Sequence, residues 1–254
     1  MSISVVRVNE TPAIVLRTAD HGESDRVITF LTHHYGKLRG IAKGAKRSRK
    51  RFVHSLEPCS LVDLRFREYK GFNLIESCKL IDPYLPLRED LKRWAYASIV
   101  VEIIDKMVPE EERHEFLFVL VKGALARLVL DSDPLNVLAL FLIKLMDLSG
   151  YLPDFSSYIT PHPRFGHERW WWIVDEGRLS AREREPKEKS LVLCLDLGTI
   201  ALISKARTVP ITKLWRLRIR QLLKKQMTFV LCRWVMMHSG KELKSFEVLS
   251  RYWK

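Results

Sequence analysis

Cysteine is scarce in this 254-residue sequence: Cys59, Cys78, Cys194 and Cys232 are the only four, and no two lie within four residues of each other. No CxxC pair exists for zinc or redox exchange, and each thiol sits among apolar residues, as in Leu191-Val192-Leu193-Cys194-Leu195, so each reads as a buried small hydrophobe. There is no 18-residue apolar run, and Met1 to Glu10 lacks the apolar core of a signal peptide, so the expectation is a cytoplasmic protein with no membrane contact. P-loop, HExxH and GxSxG motifs are all missing. His33-His34 have no carboxylate cluster nearby, His162 and His167 have no cysteine neighbours, and Glu110-Glu111-Glu112 after Pro109 reads as the acidic first turn of a helix. Internal repeats and low-complexity tracts are absent too. These absences argue against an enzyme and against a bound cofactor or metal.

Acidic residues are missing from two particular stretches, and that absence points somewhere. The net charge is +13. Residues 1–85 carry a balance of +6, residues 86–160 one of −4 and residues 161–254 one of +11. Lys37, Arg39, Lys43, Lys46, Arg47, Arg49, Lys50 and Arg51 place eight cations in fifteen positions with no acid among them, and Gly40 and Gly44 lie inside the run. Like charges that close repel, so a counter-ion is expected. Phosphates suit the role, because each one neutralised releases a condensed cation. From Leu197 to Lys241 ten further cations occur with no Asp or Glu. Read as one helix, Trp215 to Lys225 sets Arg216 and Arg220 four apart on one stripe, with Lys224 and Lys225 following. A solvated face or a membrane-surface helix would show the same pattern.

The first third has the period of strands. Ala13–Thr18, Arg26–His33, Lys37–Ala42, Glu57–Tyr69 and Phe72–Ile81 are five candidates, with turns at Tyr35-Gly36 and Lys70-Gly71. Five strands in about 80 residues suit a small closed barrel such as the OB-fold. Phe52, Phe66, Tyr69 and Phe72 could stack bases there, although core packing is the commoner use of barrel aromatics. From Leu87 the period becomes helical; Asp133-Pro134 opens a helix that is apolar on nearly every side and reads as the centre of a bundle. Residues 151–190 look irregular, broken by Pro153, Pro161, Pro163, Gly166, Gly177 and Pro186, with Trp170–Val174 a possible strand before the turn at Asp175-Glu176-Gly177. Helical patterns return after Ser190, through Leu214–Leu223 and Phe229–Met237. The expected class is α+β: an OB-fold nucleic-acid-binding domain over 1–85, then a helical domain over 86–254 interrupted at about 151–190.

His21-Gly22-Glu23-Ser24-Asp25-Arg26-Val27-Ile28-Thr29-Phe30, followed by Tyr35-Gly36-Lys37-Leu38-Arg39-Gly40-Ile41-Ala42-Lys43-Gly44-Ala45, resembles the N-terminal signature of the bacterial RecO family of recombination mediators. Leu56-Glu57-Pro58, Leu87-Arg88-Glu89-Asp90-Leu91, Leu148-Ser149-Gly150-Tyr151-Leu152-Pro153 and His238-Ser239-Gly240-Lys241-Glu242-Leu243-Lys244-Ser245 extend the resemblance over essentially the whole chain. It implies an N-terminal OB-fold and a helical domain. It also implies binding of single- and double-stranded DNA, annealing of complementary strands, and loading of recombinase onto strands coated by single-strand-binding protein (SSB). The partners implied are RecR, in many members RecF, and the acidic, apolar-ended SSB tail; the location implied is the nucleoid. Lys37, Arg39, Lys43, Lys46, Arg47, Arg49 and Arg51 would track the backbone. Many relatives carry a four-cysteine zinc site after the Gly-Tyr-x-Pro motif. Asp154–Pro163 and Trp170–Gly177 have no cysteine, so this sequence resembles a zinc-free branch, with the Trp170–Trp172 run holding the degenerate ribbon-like segment. An RNA-binding OB-fold factor and a metal-dependent nuclease are the alternative readings.

Overall fold

A computed structural model describes residues 8–110, 112–155, 169–180 and 190–251. Pro161, Pro163, Gly166, Pro186, His162 and His167 lie outside these residues, as does Glu111. The chain divides into two compact units, 1–129 and 130–254.

In the first unit five strands close into a barrel: β1 (Asn9–His21), β2 (Asp25–Thr32), β3 (Lys37–Ala42), β4 (Leu61–Tyr69) and β5 (Phe72–Asp82), in the order β1-β2-β3-β5-β4. β1 is long enough to serve two neighbours. Its first half pairs with β4 and its second with β2, and a register shift between Val15 and Arg17 supplies the bend. β3 and β5 run parallel, the other neighbouring pairs antiparallel. This order and closure make the N-terminal region an OB-fold barrel. Alternation along the strands sends Ala13, Val15, Ile28, Phe30, Val62, Leu64, Phe66 and Ile75 inward, and Phe52 and Leu56 from the β3–β4 connection join them in the core. Glu57–Ser60, expected as the start of a strand, is instead a turn closed by Ser60 N–H donating to the Glu57 carbonyl at 3.2 Å.

Helices α1 (Leu85–Glu89), α2 (Leu91–Met107) and α3 (Glu115–Leu130) follow. The Asp90 carboxylate caps α2 by accepting from Lys92 N–H and Arg93 N–H. α2 lies on β1, with Arg17 paired to Asp105 at 3.1 Å. The expectation that Glu110-Glu111-Glu112 opens a helix is corrected: α3 starts at Glu115, and Glu110 forms a parallel bridge with Lys37 at the edge of β3.

The second unit is built on α4 (Pro134–Leu148), which buries Val137 to Ile143 without interruption and packs against α5 (Leu197–Thr208) and α7 (Gln221–Ser239). α6 (Ile211–Leu214) and α8 (Lys244–Arg251) complete its helices among the described residues. The span expected to be irregular contains a sheet of order β7-β6-β8, made of β6 (Arg169–Ile173), β7 (Arg178–Ser180) and β8 (Val192–Asp196). Trp170 and Trp172 point inward with Leu193 and Leu195, and Phe155 packs edge-on against Trp172 with centroids 5.4 Å apart. β8 was expected as helix, and its two-residue period overturns one thiol assignment: Cys194 is exposed, opposite Trp171 on the outer face. Cys59, Cys78 and Cys232 are buried, and desolvation pushes the Cys59 and Cys78 thiols up to about 12 and Cys232 higher still.

Candidate nucleic-acid interface

The basic run leaves the barrel at the end of β3 and is held rigidly. Gly44 sits at φ +66 and donates its N–H to Asp25 Oδ1 at 2.8 Å; Lys46 N–H donates to the Ser24 carbonyl at 3.0 Å. Ala45–Arg47 then forms a 3₁₀ turn. The Gly44 N–H, helped by the Ser24 hydroxyl, holds the Asp25 carboxyl below its usual range. That anchorage is therefore complete above the ordinary carboxylate pKa and is lost only as pH falls through the lowered value. At the far end Arg51 donates a guanidinium N–H to the Lys43 carbonyl at 2.8 Å, its carbonyl accepts from Cys78 N–H at 3.0 Å, and Phe52 is buried in the barrel core. The loop is thus tied to the β1–β2 hairpin, to β5 and to the interior.

These ties sort the eight cations. Lys37 is buried, and its ammonium donates to the Asp105 carbonyl at 2.9 Å, so it belongs to the fold. Lys46 reaches Asp20 at 3.1 Å and the Gly22 carbonyl, and Arg51 is spent on closing the loop. Lys43, Arg47, Arg49 and Lys50 are exposed, and their side chains make no hydrogen bond or ion pair among the described residues. Arg39, on the outer face of β3, is likewise exposed. Of the candidate stacking aromatics, Phe52 and Phe66 are core, whereas Tyr69 and Phe72 meet edge to face at the β4–β5 hairpin tip.

The second basic zone has a different construction from the one expected. Trp215–Lys225 is not one helix: α6 ends at Leu214, α7 begins at Gln221, and Arg216 and Arg220 do not share a stripe. Asn136 causes the break. Its buried amide donates to the Leu217 carbonyl at 3.0 Å and accepts from Ile219 N–H at 2.9 Å, taking both backbone groups away from a helix. Acids outside the segment then neutralise much of its charge. Arg218 pairs with Asp131 at 3.1 Å, Arg220 with Asp196 at 2.5 Å, Arg207 with Asp147 at 3.3 Å, and the buried Lys224 with Asp133. Arg216 and Lys225 remain exposed. Asp131 and Asp133 precede α4, and Asp133 reads in sequence as its cap, so nothing marked either as a partner for a cation about 90 positions away. Replacing Asn136 with alanine leaves the buried Ile219 N–H unpaired and removes one of the two donors on the Leu217 carbonyl, which Arg218 also reaches at 3.1 Å. We expect a loss of about 3 kcal/mol in denaturant unfolding and faster amide exchange at Ile219; an unchanged exchange rate would refute the clamp.

The sequence has counterparts among known proteins. A family model described as Recombination protein O N terminal matches residues 6–84, and one described as Recombination protein O C terminal matches residues 88–247. The chain belongs to the RecO family. The DNA repair protein RecO of Syntrophobacter fumaroxidans is 44% identical over 97% of this chain and 98% of its own length. The DNA repair protein RecO of Syntrophus aciditrophicus is 30% identical, with 95% of each chain covered. That of Thermoanaerobacter sp. is 33% identical over 61% of this chain and 63% of its own. In this RecO-family chain no described helix is long and apolar enough to cross a membrane, and no group of three or more His, Cys, Asp or Glu among the described residues is placed to hold a metal ion.

Proposed function

We propose that this chain is a DNA repair and recombination mediator acting at the nucleoid. On this reading it binds single- and double-stranded DNA, anneals complementary strands, and helps load recombinase onto SSB-coated strands together with RecR and, where present, RecF. The observation that carries the proposal is the set of exposed cations Lys43, Arg47, Arg49 and Lys50, mounted on a loop that the OB barrel fixes at both ends, in a chain of this family. Arg39, Arg216 and Lys225 are the further exposed cations assigned to DNA, while Lys37 and Lys224 serve the fold. Annealing of this kind needs no covalent chemistry. Two strands repel through their phosphates, and a fixed basic surface lowers the repulsion while leaving base edges free to pair. The SSB tail, acidic and apolar at its end, is a further partner on this reading.

The test is annealing of complementary oligonucleotides precoated with SSB. A variant carrying Lys43→Glu, Arg47→Glu, Arg49→Glu and Lys50→Glu should anneal at least tenfold more slowly than the parent, because four attractive contacts become repulsive. Annealing at the parental rate would overturn the assignment of the loop. Competition between DNA and RNA of one sequence addresses the RNA-binding alternative, since only RNA offers a 2′-hydroxyl; a clear preference for RNA would favour that reading.

A further inference from the structure

The barrel wall is incomplete at one end. β3 and β5 pair only at Gly40 with Asn73 and Ile41 with Leu74. The first half of β3, Lys37–Arg39, pairs with β2 on one side, and on the other its backbone pairing among the described residues is the bridge from Lys37 to Glu110. A cavity of about 300 Å³ occupies the gap, and its walls include Tyr35, Arg39, Phe66, Glu68, Asn73 and Arg113.

Its chemistry is mixed in a specific way. Arg39 comes from β3 and Arg113 from the segment before α3. Both are exposed, and neither side chain makes a hydrogen bond or ion pair among the described residues. Two guanidinium groups from distant sequence positions therefore converge on one opening without serving the fold. Tyr35 is half-buried and held from two sides: its ring meets Phe66 edge to face with centroids 5.2 Å apart, and its hydroxyl donates to Asn9 Oδ1 at 3.4 Å. Part of a fixed aromatic ring thus remains open to the cavity. Asn73 donates one amide N–H to the Arg39 carbonyl at 3.1 Å and keeps its other polar groups available. Glu68 and Glu110, which also line the cavity, disfavour a polyphosphate, while the two arginines supply cations for a single phosphate. The volume is at the lower limit of small-molecule sites and suits one nucleotide rather than a folded pair.

We propose that this cavity holds one unstacked nucleotide of a bound single strand, its base laid on Tyr35 and its phosphate between Arg39 and Arg113. The inference rests on the reading that the chain binds single strands. Stacking on a tyrosine face tolerates any base, as annealing of arbitrary sequences requires, and one base held out of the stack would set the register of the strand on the barrel.

Photocrosslinking of the full-length protein to a thymidine oligonucleotide containing one 5-iododeoxyuridine tests this, with labelled peptides mapped by mass spectrometry. Labelling at Tyr35 is expected. Arg113→Gln, which removes no internal contact, should reduce that labelling roughly tenfold, as loss of one charged hydrogen bond to phosphate predicts. Total binding should fall less, because the loop cations remain. Crosslinks confined to other residues while binding persists would overturn the pocket and leave the DNA-binding reading standing, as would Tyr35 labelling unaffected by Arg113→Gln. Absence of any binding by the parent protein would overturn that reading, and the pocket with it.

Discussion

Gly36→Ala should lower the thermal midpoint of unfolding by roughly 10 °C, the largest stability change expected of a single methyl group in this protein. Gly36 lies at φ +68, where an L-residue costs about 1–2 kcal/mol, and its missing side chain faces backbone rather than solvent. A Cβ there would stand 2.0 Å from the Glu112 carbonyl oxygen and 2.6 Å from its carbon. Neither atom is the end of a flexible side chain, so relief requires the segment around Glu112 to move away from β3. The total cost is then about 3–4 kcal/mol, combining strain with a backbone displacement. Gly22→Ala is the control. Its φ is +58 but nothing lies within 4 Å of the added Cβ, so only the strain of about 1–2 kcal/mol applies. Equal shifts for the two variants would show that the close approach of Glu112 to Gly36 is absent in solution.

Neutralising the loop should have the largest effect on binding. With Lys43, Arg47, Arg49 and Lys50 all changed to Gln, affinity for single-stranded DNA at 50 mM salt is expected to fall on the order of 10³-fold, and the slope of log K against log salt should flatten by about 3. Both numbers follow from one assumption, that each cation neutralises one phosphate and releases the fraction of a counter-ion characteristic of single strands. The slope is the sharper measurement. A loop that merely destabilised the barrel when mutated would lower affinity without a matching change in salt dependence. An unaltered slope would therefore remove these four residues from the interface even if binding weakened. Mutation of Lys37 or Lys224 should instead lower stability, because both ammonium groups are buried and engaged inside the fold.

The contrast between the two basic zones shows where charge counted along a chain stops being informative. Lys37–Arg51 and Leu197–Lys241 look alike in sequence: each is free of acids, and the second is longer and carries more cations. In three dimensions four of the second zone's cations meet carboxylates that the sequence places elsewhere, at Asp131, Asp133, Asp147 and Asp196. In the first zone Lys46 pairs in this way with Asp20, while Lys43, Arg47, Arg49 and Lys50 make no ion pair among the described residues. Ion pairing is decided by distance in space. A segment's own composition carries no record of which distant side chains arrive beside it.

Local order was legible where a single physical rule governs it. Two-residue alternation gave the five barrel strands, because one face of each is buried and the other wet. Asp133-Pro134 gave the start of α4, because a capping carboxylate and a proline at the first helical position satisfy or remove orphan N–H groups. The family motifs, strung along the whole chain, gave the family. Only the tertiary structure decided the rest. Asn136, a buried polar residue in the first turn of a mostly apolar helix, breaks the expected Trp215–Lys225 helix by binding two backbone groups some 80 residues away. The edge of β3 captures Glu110 and delays the start of α3, and pairing with β6 makes a strand of the segment around Cys194. Each of these outcomes is a competition between a local propensity and a long-range hydrogen bond. Propensity is written in neighbouring residues, but the partner that defeats it comes into reach only once the chain has folded.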